Sequence, residues 1–159
     1  MDVQARIATS ADLAILVELY RTYRDTLVDE RGGTLHLLRE AFTEPLEPPL
    51  TSILHDDQWL VLVGTFDNAP VGLAAARIET MPDTSQLATV EAIYVDAPAR
   101  EMGVGEQLLD CVVQWATQRG ATGVDVRVLP GMRASKNFLE GAGFAARLLV
   151  MHHKLEGTG

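Results

Sequence analysis

The stretch Arg100-Glu101-Met102-Gly103-Val104-Gly105 is the part of the chain best suited to chemistry. It lies between an apolar run ending at Val95 and a helical pattern starting at Gly103. The first N–H groups of a helix have no intrahelical partner, and the helix dipole adds partial positive charge there. Two glycines one residue apart let an anion approach those groups without meeting a Cβ. The run therefore reads as an anion site of phosphate size. A dinucleotide fingerprint would need a third glycine at position 108, where Leu108 stands, and the chain has no G-x-x-x-x-G-K-S/T run.

Glu91 is the second group of interest, an acid inside the otherwise apolar run Leu87–Val95. A carboxylate there can act as a general base, or it can simply face water as half of a strand's side chains do. Tyr94 reads as core, with its hydroxyl and that of Ser135 as alternative proton donors. Arg133 and Lys136 are a close basic pair, either a solvated surface or a second phosphate contact. His152 and His153 are neighbours in an apparent strand and point to opposite faces, so they do not share an ion. Cys111, the lone cysteine, falls on an apolar helical stripe and reads as core; it excludes an internal disulfide and a Cys-rich zinc site. No metal is expected.

The elements that must position these groups follow from periodicity. Val3–Ala8 reads as a strand, and Thr9 with Asp12 as a capping box before a helical stripe of Leu13, Leu16, Val17, Tyr20, Tyr23 and Leu27. Residues 34–42 and 50–55 suggest short helices, separated by Pro45, Pro48 and Pro49. Trp59–Phe66 is a doubly buried strand, joined by a turn at 67–70 to a strand over 71–79 as an antiparallel hairpin. The strand Leu87–Val95 follows, then a helix over 103–118, an alternating strand over 123–129, a helix over 133–142, and one or two strands over 144–155. Antiparallel strands come first and βαβ character second. The fold class is thus mixed α/β of the α+β type, a central, partly antiparallel sheet flanked by helices.

Composition bounds the rest. The 159 residues are 47% hydrophobic and 22% charged, ordinary for a folded protein and too apolar for disorder. The net charge of −9 disfavours nucleic acid and favours a cationic partner such as an amine. No apolar run approaches the roughly 20 residues of a membrane-spanning helix. The expectation is a single cytoplasmic domain over 1–159, with no membrane partner.

The loop at 100–105 resembles the pyrophosphate loop of the GNAT superfamily of acyl-CoA-dependent N-acyltransferases, which reads Q/R-x-x-G-x-G/A. The resemblance extends to Arg6-Ile7-Ala8-Thr9 with Asp12, to Gly72, to Ile93-Tyr94-Val95 with Pro98, and to Phe138-Leu139-Glu140-Gly141-Ala142-Gly143-Phe144. It implies a GNAT domain that transfers an acetyl group from acetyl-CoA, as cosubstrate, to a primary amine of a small molecule or peptide, with homodimerisation allowed. Ile93, Tyr94 and Val95 would hold the pantetheine by their backbone, and Arg100, Glu101, Met102, Gly103, Val104 and Gly105 would cradle the pyrophosphate. Glu91, at a position where many members carry Glu, would be the general base. Leu139 departs from the pattern, because the family often has there a tyrosine that protonates the leaving thiolate. That leaves the general acid unassigned, and an inactive CoA-binding module is the alternative reading.

Overall fold

In the computed structural model, which describes residues 1–157, the two strands at the centre are joined by the tightest of turns. Strand β2 (Trp59–Phe66) meets β3 (Ala69–Thr80) across Asp67 and Asn68. Both turn residues have positive φ, 48° and 69°. Such a two-residue turn matches the twist of a hairpin, and Asp and Asn tolerate the left-handed region better than most residues. Strands β1 (Val3–Ile7), β4 (Gln86–Val95) and β5 (Ala121–Val126) complete a sheet of order β1-β2-β3-β4-β5. The first three pairings are antiparallel and β4–β5 is parallel. This is the mixed α/β architecture expected from the sequence.

One face of the sheet carries α1 (Leu13–Leu27), α2 (Gly33–Arg39) and α3 (Glu47–Leu54). Leu16, Tyr20, Tyr23 and Leu50 pack there on Val61, Val63, Ala75, Ala92 and Tyr94. The other face carries α4 (Val104–Gln118), whose Val104, Leu108 and Val112 pack on Leu60, Leu62, Ala74 and Val90. With both faces covered, β2 is buried along almost its whole length. The expected capping box exists: Thr9 Oγ1 accepts from Ala11 N–H, and Asp12 accepts from Thr9 N–H at 2.8 Å. Asp12 also receives two bonds from Arg6, each 2.8 Å, which ties β1 to the start of α1.

Two expectations need correcting. The prolines at 48 and 49 lie inside α3 rather than ahead of it, because the first turn of a helix needs no N–H donors. The strands expected over 144–155 do not form. After α5 (Arg133–Gly141) and Gly143, whose φ is +93°, the described chain has no regular element. A strand exists only through a ladder, and residues 145–154 make no backbone–backbone hydrogen bond. Leu148, Leu149, Val150 and Met151 are consecutive rather than alternating apolar residues, and all four are exposed. The segment touches the sheet through the Arg147–Asp125 ion pair. Among the described residues no helix is long and apolar enough to cross a membrane.

Candidate active site

The site begins where the sheet comes apart. The parallel ladder between β4 and β5 runs from Gln86↔Ala121 to Val90↔Val126 and stops. Strand β4 continues to Val95, paired with β3 alone. Residues 91–95 therefore have no strand on the β5 side, and their backbone edge is available to an extended ligand. The split starts at a β-bulge: Ala76 pairs with Val90 and Ala75 with Ala92, so Glu91 is an extra residue on β4. A bulge re-aims the side chain it carries. Here Glu91 joins the face covered by α1.

At the far end of this free edge lies the glycine turn. A short helical turn over Ala97–Met102 leads to Gly103, which caps α4 with φ +89°. That left-handed conformation strains any residue with a Cβ. The first bond into α4 is from Gln107 N–H to Gly103 O, so the preceding amides of the helix have no intrahelical acceptor. An added Cβ at Gly105 would meet Phe138 Cζ at 3.6 Å and Val95 Cγ2 at 3.8 Å, ordinary contact distances. The packing of the protein itself does not require a glycine there. Arg100 donates from Nε to Val95 O at 3.0 Å and lies 5.9 Å over the Tyr94 ring. It thus braces the turn against β4.

The turn is set at the right height by a second close approach. Gly64 on β2 and Gly72 on β3 face each other in the ladder beneath the start of α4. A Cβ at Gly64 would lie 2.6 Å from Val104 Cγ1. The missing side chain lets the first turn of α4 settle directly onto the sheet.

Glu91 is held by two guanidiniums. Arg77 Nε donates to Oε1 at 2.8 Å, and Arg127 Nη1 donates to Oε2 at 2.6 Å. Arg77 is also paired with Glu79 at 3.3 Å. Tyr20 and Tyr23 of α1 are near enough that the Glu91 charge adds to the upward push that burial gives both phenols. Tyr23, Tyr94, Tyr20, Phe42 and Trp59 form a connected aromatic group beside the carboxylate, with ring centroids 5.3–6.4 Å apart. Burial, and next to it the Asp96 carboxylate, raises the Tyr94 phenol above its ordinary value.

The structure brings Glu91, Ile93, Tyr94, Val95 and Arg100 through Gly105 along one continuous edge and turn. Leu139 is buried, Ser135 half-buried, and Arg133 and Lys136 exposed, the last beside Glu140. Cys111 is half-buried among the residues under α4, and its thiol is pushed up by burial. His152 and His153 are exposed, and no group of three potential ligands among the described residues could hold a metal. Sequence reasoning missed Arg77 and Arg127. Arg127 lies on the polar side of the alternating run 123–129, whereas Arg77 follows a continuous apolar stretch, and neither is paired with Glu91 in the ladder: Arg77 stands opposite Thr89, and Arg127 lies just past the last β4–β5 pair.

The structure thus joins a split sheet, a glycine turn at the start of α4 and a carboxylate at the root of the split in one α/β domain. A family model described as "Acetyltransferase (GNAT) family" matches residues 18–144, and the chain belongs to that family. No curated protein sequence matches it. Among solved structures it is similar to a transcriptional regulator from Bacillus halodurans C-125, with 25% identity, TM-score 0.70, and 96% of this chain and 100% of that one covered. It is also similar to AAC(6')-Iy in complex with the bisubstrate analog CoA-S-monomethyl-acetylneamine, at 20% identity and TM-score 0.73, with 98% and 99% covered. A third is the ribosomal-protein-alanine N-acetyltransferase from Brucella melitensis biovar Abortus 2308, at 17% identity and TM-score 0.73, with 98% and 100% covered. At such identities the two acetyltransferase structures establish likeness of fold.

Proposed function

We propose that the chain is an N-acetyltransferase that moves an acetyl group from acetyl-CoA to a primary amine of a small molecule or peptide. The observation that carries this reading is the open edge of β4 at 91–95 running directly into the Gly103–Gly105 turn. Ile93, Tyr94 and Val95 would bind the pantetheine arm as a strand binds a neighbour. Arg100, Glu101, Met102, Gly103, Val104 and Gly105 would surround the pyrophosphate, with the free amides of α4 as donors. Acetyl-CoA supplies the activated thioester. Glu91 takes the proton from the acceptor ammonium, because an alkyl amine is mostly protonated at neutral pH and its lone pair must be freed before it attacks. No cysteine lies near the turn, so the amine attacks the thioester directly. Tyr94 retains its phenolic proton near the turn, but a thiolate with a thiol pKa of about 8.5 leaves without obligatory protonation. The complex of AAC(6')-Iy, a similar fold, with a CoA-linked acetylneamine supports the cosubstrate and the amine class. A homodimer fits the same reading, since the exposed apolar row 148–151 favours burial against a second copy.

One observation favours a second reading, a CoA-binding module without turnover: Leu139 is a buried apolar side chain where the family often carries its acid. Calorimetry with acetyl-CoA, coupled to an assay of thiol release with a panel of amines, tests both. Acetyl-CoA should bind, and Gly103→Asp should abolish binding by adding bulk and negative charge at the turn. Unchanged affinity in a folded Gly103→Asp protein removes the reading. Tight binding with no thiol release from any amine selects the module.

A further inference from the structure

As a general base Glu91 faces a difficulty, because each of its oxygens is already occupied by a guanidinium. To receive a proton from an ammonium it has to give up one arginine. The two are not equivalent. Arg77 is held twice, by Glu91 and by Glu79, and its side chain is 32% exposed. Arg127 has Glu91 as its carboxylate partner, sits just past the last residue of β5, and is 44% exposed. Exposed ion pairs hold weakly, so Arg127 is the one that can leave. A departing guanidinium still needs an anion. Asp125, two residues back on the same strand face, is already engaged by Arg147.

Building on the acetyltransferase reading, we infer that the acceptor brings that anion: the substrate is an amine bearing a nearby carboxylate, of the α-amino acid type, and Arg127 is its carboxylate receptor. The acceptor carboxylate takes Arg127 from Glu91 in a two-pronged contact that a planar guanidinium is shaped to make. The ammonium of the same molecule then faces the freed Oε2 of Glu91. The exchange conserves charge pairing: one guanidinium–carboxylate pair opens, one forms, and an ammonium–carboxylate pair is added. The proton passes to Glu91, and the neutral amine is left to attack. A simple amine has no means of drawing Arg127 away, so the site discriminates against it.

The test pairs each amino acid with the amine that lacks its carboxylate, such as phenylalanine with phenethylamine and lysine with cadaverine. Thiol release is measured for wild type, Arg127→Gln and Arg127→Lys, and phenylalanine binding to the CoA-loaded protein by calorimetry. Hydrogen bonds to charged groups make the expected effect about 10-fold or more. Wild type should favour the carboxylated member by that factor in kcat/KM. Arg127→Gln should raise KM and weaken binding for phenylalanine by a similar factor while raising kcat/KM for phenethylamine, because Oε2 of Glu91 is then already free, and Arg127→Lys should restore part of the loss for phenylalanine. A purely structural ion pair predicts equal damage to both substrates, and that result overturns the inference, as does a wild-type preference for the bare amine. Thiol release with the bare amines alone leaves the acetyltransferase reading standing without it. No release with any acceptor takes both down.

Discussion

At the scale of single residues, the proposed chemistry rests on Glu91, a carboxylate held by Arg77 and Arg127. Glu91→Gln retains the size of the side chain and an oxygen for Arg77 while removing the basic oxygen. Turnover at neutral pH should fall by about 10²-fold, within the range for a lost general base. Acetyl-CoA affinity, set at the other end of the strand, should be nearly unchanged. The deficit should shrink as the pH rises toward the amine's own pKa, because an amine that is already neutral needs no base. Steady-state rates of both proteins across pH 6–10 test this (about the span over which an amine loses its proton), and full activity of Glu91→Gln at neutral pH would reduce Glu91 to a structural residue. The glycine turn was legible at this scale because its residue types are specific: Gly103 takes the left-handed cap of α4, a conformation that favours glycine. The arginines on Glu91 were not legible, since an arginine in a strand carries no sign of what lies opposite until the register is known.

At the scale of elements, two joints position the site and each gives a measurable effect. Gly64→Ala places a methyl 2.6 Å from Val104 Cγ1, closer than a side chain tolerates, so the first turn of α4 must lift. The expected cost is about 1–3 kcal/mol, as for other overpacked positions, together with weaker acetyl-CoA binding because the turn moves with the helix. Gly123→Ala, whose new methyl would sit at 3.8 Å from Leu87 Cδ1, is the control and should change neither. The second joint is Arg6–Asp12, where the guanidinium holds the Asp12 carboxyl down at about 2, against an ordinary value of 3.8. The fold thus favours the charged form, and the stabilisation is present above about pH 4 and lost as the pH falls toward 2. It amounts to at most about 2 kcal/mol, lessened by water around the half-exposed Arg6. Urea melts of wild type and Asp12→Asn should differ at neutral pH and converge across that window. Helices and the hairpin were readable from periodicity and turn chemistry, whereas the last strands were not. A run such as Leu148–Met151 has strand composition, but composition does not supply the neighbouring backbone that a ladder needs.

At the scale of the whole molecule, the order of elements and the class of fold were legible because each face of the sheet is apolar with its own period. The place where the sheet opens was not. Nothing in the types of Val90 and Val126 announces that pairing stops there, where the bulge opposite Ala75 and Ala76 begins. That bulge has a further consequence. Because Glu91 is the unpaired member, Val90 and Ala92 already face consecutive residues of β3, and every later side chain of β4 has the parity it would have in a regular strand. Excising residue 91 would therefore leave all pairs in register and all faces unchanged. The residue proposed as proton acceptor is thus an insertion that the scaffold can do without. A chain lacking Glu91 should fold, melt within a few degrees of wild type, and still take up acetyl-CoA at the glycine turn, yet release thiol at neutral pH about 10²-fold more slowly. Calorimetric and spectroscopic melts beside the thiol assay would show whether scaffold and reactivity separate in this way; loss of folding on excision would show that they do not.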